Sequence, residues 1–204
     1  MKKYLIFVIL ILSHFSIYAE GFKLSCLPSS PVCNDCPDYQ TLFPINDLPR
    51  DIDNLNIEAD ESEIINEKYK LSGNVEINSE NLFISADQIE VSPESNAILA
   101  AGNVNFQDQA FIISGDLLSA TRDESNNLIA TATNAYFQDF ASGPGGANGF
   151  SEIISRTPSS VLLTNSTYTL CPINKSDWYL DADKIELNLS KNRGVADNVI
   201  IKFY

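Results

Sequence analysis

Four cysteines, one histidine and a surplus of carboxylates are the residues of this chain that could do covalent or metal chemistry. Cys26, Cys33 and Cys36 sit close together, and Cys171 stands alone far downstream. Cys33-Asn34-Asp35-Cys36 has the CxxC spacing of redox and zinc sites, but the chain has no second CxxC, and no helical βαβ pattern surrounds the first. In an oxidising compartment the four are expected to form disulfides, and their layout suggests a tail tethered to something distant. His14, the only histidine, falls in the leader described below. The mature chain would then lack Ser-His and Cys-His nucleophilic machinery and every His-ligated metal site. Some pair among the many Asp and Glu residues could imitate a glycosidase dyad. Most of them, such as Glu90 and Glu186, instead alternate with apolar residues or fall at turns, and read as solvated strand faces. Asp123, Glu124 and Asn126 could hold calcium but read as an ordinary turn. Asn165-Ser166-Thr167 and Asn174-Lys175-Ser176 match glycosylation acceptors, discounted because the leader looks bacterial. There is no Gly-rich phosphate loop. No cofactor and no metal are expected, and no enzymatic activity.

The elements that position these residues begin after an export signal. Lys2 and Lys3 precede the apolar run Tyr4 to Leu12, and Ser13 to Ala19 ends in a small residue. This is the three-part pattern of a secretory signal peptide over 1–19. The run is shorter than the about 20 apolar residues a transmembrane helix needs. Net charge is −14 over 204 residues; cleavage removes Lys2 and Lys3 and takes it to −16. Such a surface repels a phosphate backbone, so no nucleic acid is expected as partner, and a bound lipid would be held by its chains. Residues 20–54 form an irregular Cys/Pro-rich tail, with Pro28, Pro31, Pro37, Pro44 and Pro49 opposing ladders and helices. Residues 55–204 read as all-β. Asp60 to Lys70 fits a brief helix or, through Ile64-Ile65, a strand. Strands are then expected at Leu71–Ile77, Asn81–Asp87, Gln88–Val91, Ala97–Phe106, Ala110–Asp116, Ile153–Leu163 and Thr164–Leu170. Turns are expected at Ser92–Asn96 and Arg122–Asn127, and a flexible loop at Ser142–Gly149.

A repeat organises these strands. Gly73-Asn74-Val75 returns as Gly102-Asn103-Val104, and Ser85-Ala86-Asp87 as Ser114-Gly115-Asp116. Ala86-Asp87-Gln88-Ile89-Glu90-Val91 returns as Ala182-Asp183-Lys184-Ile185-Glu186-Leu187. Ala196-Asp197-Asn198-Val199 parallels Ala101 to Val104. Two strands and a turn make a unit that buries its apolar face only when stacked on a neighbour. The Gly or Asn before Val supplies a turn position at positive φ, and the Asp after Ala is expected to bond its own local backbone. Val75, Ile77, Leu82, Ile84, Ile89, Val91, Ile98, Val104, Phe106, Phe111, Ile113 and Leu117 would line one side of the stacked strands. That face is a packed core or the wall of an acyl-chain groove, and the end strands could pair with another protein by strand addition.

Gly-Asn-Val followed by Leu/Ile-x-Ala-Asp, carried here by Leu82 to Asp87 and Gly102 to Val104, resembles the OstA-type β-jellyroll family of lipopolysaccharide transport proteins. The resemblance covers roughly Leu55 to Tyr204. Tyr168-Thr-Leu-Cys171-Pro172 followed by Trp178, the cysteine-bearing tail, and the terminal strand Asn198 to Tyr204 favour the branch in which the jellyroll precedes an outer-membrane barrel. The resemblance implies a periplasmic module that receives lipopolysaccharide acyl chains in an apolar groove and passes them to that barrel. It implies as partners lipopolysaccharide, an LptA-like jellyroll joined by edge-strand addition, and an LptD barrel with an LptE-like lipoprotein. It also implies that Cys171 and one of Cys26, Cys33 or Cys36 bond cysteines of the barrel. The sequence stops at Tyr204 without barrel segments, so the expectation is of such a domain as a gene fragment, a product of a split gene or a truncated sequence, with the barrel and lipoprotein as partners where a barrel is supplied. A stand-alone LptA- or LptC-like bridge, a strand-pairing scaffold with a closed core and a polysaccharide-active β-helix enzyme are the competing readings.

Overall fold

The computed structural model describes residues 40–48, 56–79, 81–125, 127–140, 146–173, 176–191 and 193–204. The expected signal peptide at 1–19, Cys26, Cys33 and Cys36, most of the 20–54 tail, Asn126 and Asn174 lie outside them. The described chain is antiparallel sheet: β1 (Asn56–Glu58), β2 (Glu61–Ile65), β3 (Lys68–Ser79), β4 (Leu82–Ser92), β5 (Ala97–Gln107), β6 (Phe111–Arg122), β7 (Leu128–Asp139), β8 (Asn148–Thr157), β9 (Ser160–Tyr168), β10 (Trp178–Asn188), β11 (Arg193–Asp197) and β12 (Ile200–Phe203). From β3 to β11 each strand pairs with the next in sequence. β1 and β2 share the free side of β3, and β11 and β12 share that of β10. Of the two forms open to Asp60–Lys70, the strand prevails. Asn66 and Glu67, both at positive φ, close a tight hairpin between β2 and β3, the geometry whose twist matches its flanking strands.

The central strands are nine to twelve residues long, and most change face midway. In β4, Leu82, Ile84 and Ala86 point inward, then Ile89; in β6, Phe111 and Ile113, then Leu118 and Ala120; in β7, Ala130 and Ala132, then Ala135 and Phe137. An extended strand alternates with period two, so each switch of parity marks a bend. The ladders slip register at Ser72/Val75, Ser85/Gln88 and Ala101/Val104. Asn74, Asn103, Asn134 and Asn165 hold positive φ in β3, β5, β7 and β9, with Gly73 and Gly102 beside the first two. The Gly-Asn step expected at a turn is thus a bend inside a long strand, where an added residue increases twist and kinks the sheet.

These bends fold the sheet into two facing panels. Phe111 pairs with Asp139 and Gln138 with Asn148, so Arg156 lies eight residues along β8 from that level. In a flat sheet Arg156 and Phe111 would be roughly 25–30 Å apart. The Arg156 guanidinium carbon instead lies 5.4 Å from the centre of the Phe111 ring. The sheet is rolled on itself, with its apolar side enclosed.

Several boundaries differ from expectation: Asn81–Asp87 and Gln88–Val91 form one strand, β4, and the expected division between Leu163 and Thr164 falls inside β9. Ile153–Leu163 is not one strand; it is divided between β8 and β9 by a turn at Pro158-Ser159. Pro158 has no N–H for a ladder, and Thr157 Oγ1 accepts the Ser160 N–H at 3.1 Å to close the turn. The end of the expected loop at Ser142–Gly149 belongs to β8. Asn148 bridges to Thr169 through both backbone groups, each at 2.9 Å, and Gly149 lies so close to the Thr167 carbonyl that a β-carbon there would overlap it.

Candidate functional site

The bends are held by a side-chain clasp that the repeat encodes. Asn103 Nδ2 donates to Asp87 Oδ2 at 2.9 Å, Asn74 to Asp60 at 2.9 Å, Asn198 to Asp183 at 2.7 Å, and Asn165 to Glu152 at 2.7 Å. The acid in the repeat therefore bonds a side-chain amide 13 to 16 residues away, in place of the local backbone bond expected of it. Glycine is required beside the first two clasps because a β-carbon on Gly73 or Gly102 would strike the Asp60 or Asp87 carboxylate. Small residues follow the fold line: Ala135, Ser151, Ser166 and Ala182 are successive partners across β7 to β10, and Gly115 packs against Ala135.

Folding the sheet this way builds a continuous apolar track. Leu71, Ile89, Ala100, Leu118, Ala132, Ile154, Leu163, Ile185 and Ala196 are successive cross-strand partners from β3 to β11. Eight inter-strand steps of about 4.8 Å make this row roughly 38 Å long. On the other panel Ile77, Ile84, Phe106, Ile113 and Phe137 form a second row. Of the residues named from sequence, Val75, Ile77, Leu82, Ile84, Ile89, Val104, Phe106, Phe111 and Ile113 are buried inside the roll, none more than 4% exposed. Val91 and Ile98 are half-buried and pack against them. Leu117 is the exception: it points outward, 39% exposed, and Leu118 takes the inward place at 0%. The parity switch in β6 is the reason. The half of the track in β7 to β10 lies outside the residues named from sequence. Its signal is the same alternation, carried by alanines in β7 and by Ile154, Val161, Leu163 and Ile185 in β8 to β10.

Two features outside the apolar list shape the roll. The first is a strap. Residues 40–48 cross the outward face over the row Phe83, Gln107, Ile112, Gln138 and Asn148, all buried. Gln138 accepts the Leu42 N–H at 3.1 Å and donates to the Gln40 carbonyl at 2.9 Å; Gln107 accepts the Asn46 N–H at 2.9 Å and donates to the Asn46 carbonyl at 2.7 Å. Two carboxamides thus take the place of a neighbouring strand. The second is an ion pair across the mouth between the panels, Arg156 Nη2 to Asp108 Oδ2 at 2.8 Å. Its side chains are 9% and 15% exposed, whereas those of Lys68–Glu90, Lys184–Glu186 and Lys202–Asp181 are 28–57% exposed.

Other groups singled out by type have structural partners. Asp123 Oδ1 accepts the Ser125 and Asn127 N–H groups and Oδ2 accepts Asn127 Nδ2; these bonds, the Asn127 side chain foremost, hold its carboxyl below the ordinary value. Cys171 is fully buried and disulfide-bonded. Its N–H donates to Thr169 Oγ1 at 3.0 Å, and that hydroxyl donates to the Trp178 carbonyl at 2.7 Å. Burial, with a smaller effect from the Asp139 charge, pushes the Tyr168 phenol above its ordinary value. A cavity of about 750 Å³ at β2 to β5 is lined by Glu61, Glu63, Lys70, Gln88, Glu90 and Leu99 among others. Most of its lining is polar, and it also reaches Leu71 and Ile89 at the start of the track.

An antiparallel sheet rolled around an apolar interior, with free strands at both ends of its order, defines a β-jellyroll. The family model described as "LptA/(LptD N-terminal domain) LPS transport protein" matches residues 56–193, and the chain belongs to that family. It is 29% identical over 143 residues, 70% of its length, to the LPS-assembly protein LptD of Idiomarina loihiensis. It is 26% identical over 86% of its length to that of Shewanella frigidimarina, and 33% identical over 61% to that of Acinetobacter baumannii. The chain spans only 18%, 22% and 15% of those three proteins. Among solved structures it resembles LptH, the LptA-homologous periplasmic component of the lipopolysaccharide transport device of Pseudomonas aeruginosa. The TM-score is 0.50 at 12% identity, covering 60% of this chain and 94% of that one, a likeness of fold.

Proposed function

We propose that this chain is a periplasmic module of lipopolysaccharide transport that carries acyl chains along the interior of its roll. The observation that carries the reading is the unbroken inward row from Leu71 to Ala196. A chain lying along it keeps apolar contact from one end of the sheet order to the other. Each acyl CH₂ moved out of water contributes about 0.8 kcal/mol. The module works by burial alone, without covalent chemistry, and direction comes from elsewhere in the pathway. Export by the 1–19 signal would deliver it to the periplasm. Strand addition at the β1/β2 or the β11/β12 end would join it to an LptA-like jellyroll and to an outer-membrane LptD barrel with its LptE-like lipoprotein. Ile57, Ile64, Ile200 and Ile201 are exposed at those ends, and unpaired strand edges are templates for pairing.

A second reading, a strand-pairing scaffold with a closed core, is favoured by the near-complete burial of the panels. One experiment separates the two. With a photoreactive phenylalanine at Ile84 or Phe111, the transport reading expects adducts with purified lipopolysaccharide; the scaffold reading expects none at either position.

A further inference from the structure

We propose that Arg156 is a binding site for the phosphate of an amphiphile entering the roll, exchanged against Asp108, and that the Arg156–Asp108 pair is the latch of the mouth. The proposal rests on the reading of the interior as an acyl-chain track. Arg156 belongs to β8 and sits at the inward position between Ala130 and Val161. Asp108 follows β5, in the turn before β6. The 2.8 Å contact between them therefore ties together two edges of the rolled sheet that no ladder joins, and the guanidinium lies over Phe111, a residue of the interior.

The two partners are unequally satisfied. Asp108 Oδ1 already accepts the Ala110 and Phe111 N–H groups at 2.8 and 2.7 Å, so its carboxylate keeps partners when Arg156 leaves. Arg156 is only 7% exposed, yet Nε and Nη1 are buried with no hydrogen-bond acceptor. A buried guanidinium with unused donors costs free energy until they are met, and its planar fork matches a phosphate in two-point contact. Asp108 itself borders a cavity of about 700 Å³ between the strap and the turns before β4 and β6, lined by Ile45, Asp47, Asn81, Gln107 and Phe140 among others, with neither Arg156 nor Phe111 in its lining. A phosphate that displaced Asp108 from the guanidinium would take over the Arg156 donors, with its chain on the Phe111 side. The net charge of −14 opposes approach of any anion, which makes Arg156, the one buried cation among the described residues, the point of selection.

The test uses tetradecyl phosphate and uncharged tetradecanol as probes, equal in chain and different in head, with the full chain and its disulfide intact. The wild type should bind the phosphate about tenfold or more tightly than the alcohol, the size expected of charge-assisted hydrogen bonds. Arg156→Met should abolish that preference and keep alcohol binding, Arg156→Lys should weaken it, and Asp108→Asn should strengthen it; circular dichroism confirms folding, and the lysine and asparagine variants decide if the methionine variant unfolds. Equal binding of both probes by wild type and variants overturns the site while leaving the acyl-chain track standing. Binding of neither probe overturns both. Displacement of tetradecyl phosphate by equimolar inorganic phosphate overturns the assignment to an amphiphile, because the anion alone would then suffice.

Discussion

Asn103 sits at φ +46° and holds the Asp87 carboxylate with its side-chain amide, so two separate costs attend its replacement. Alanine at that φ costs about 1–2 kcal/mol, and loss of the hydrogen bond adds about 1 kcal/mol. Asn103→Ala should destabilise by about 2–3 kcal/mol in urea denaturation and Asn103→Gly by less, since glycine accepts the backbone and loses only the clasp. Equal stability of the alanine variant and the wild type would remove the clasp from the account. Tyr168 supplies a second residue-scale test. Its phenol is raised above 10.0 in the folded protein, first by burial. A group raised on folding contributes stability in full below its unfolded value and loses it as pH rises through the folded one. Stability should therefore fall above about pH 10, and Tyr168→Phe should fall less steeply over that range. An identical slope in the variant would place the loss elsewhere. At this scale the sequence displayed the Gly-Asn-Val and Ala-Asp words but not their pairing, because the carboxylate and the amide that bond are 13 to 16 residues apart.

Element by element, the existence of most strands is easier to read than their bounds and course. Alternating Val, Ile and Phe located most strands from β3 to β6, since each keeps one face buried. Period-two counting fails at a bulge, and for that reason it puts Leu117 on the inner face that Leu118 occupies. The strap was harder to foresee: Gln107 and Gln138 look like ordinary polar ends of strands, and only the rolled sheet brings residues 40–48 across them. Their burial and paired bonds give a direct test. Gln138→Ala should cost about 1–3 kcal/mol by leaving Leu42 N–H and the Gln40 carbonyl without their partner. Hydrogen exchange at the Leu42 amide should speed up markedly while amides of β6 and β7 stay protected. Unchanged protection at Leu42 would show that the carboxamide does not hold the strap.

Across the whole molecule, apolar rows on two panels, small residues at the fold line and a charged exterior follow from one repeated unit stacked strand after strand. Sheet order can be inferred from that unit; the roll is what the family resemblance implies, and the several bends that produce it in register become visible only in the structure. The central claim is that lipid occupies the enclosed face and leaves the outward one bare. Leu117 and Leu118 test it most directly, as adjacent residues of β6 on opposite faces, 39% and 0% exposed. A photoreactive phenylalanine at each position, irradiated with purified lipopolysaccharide, should give adducts from 118 and none from 117. Adducts from 117 alone, or from neither, would contradict an interior track.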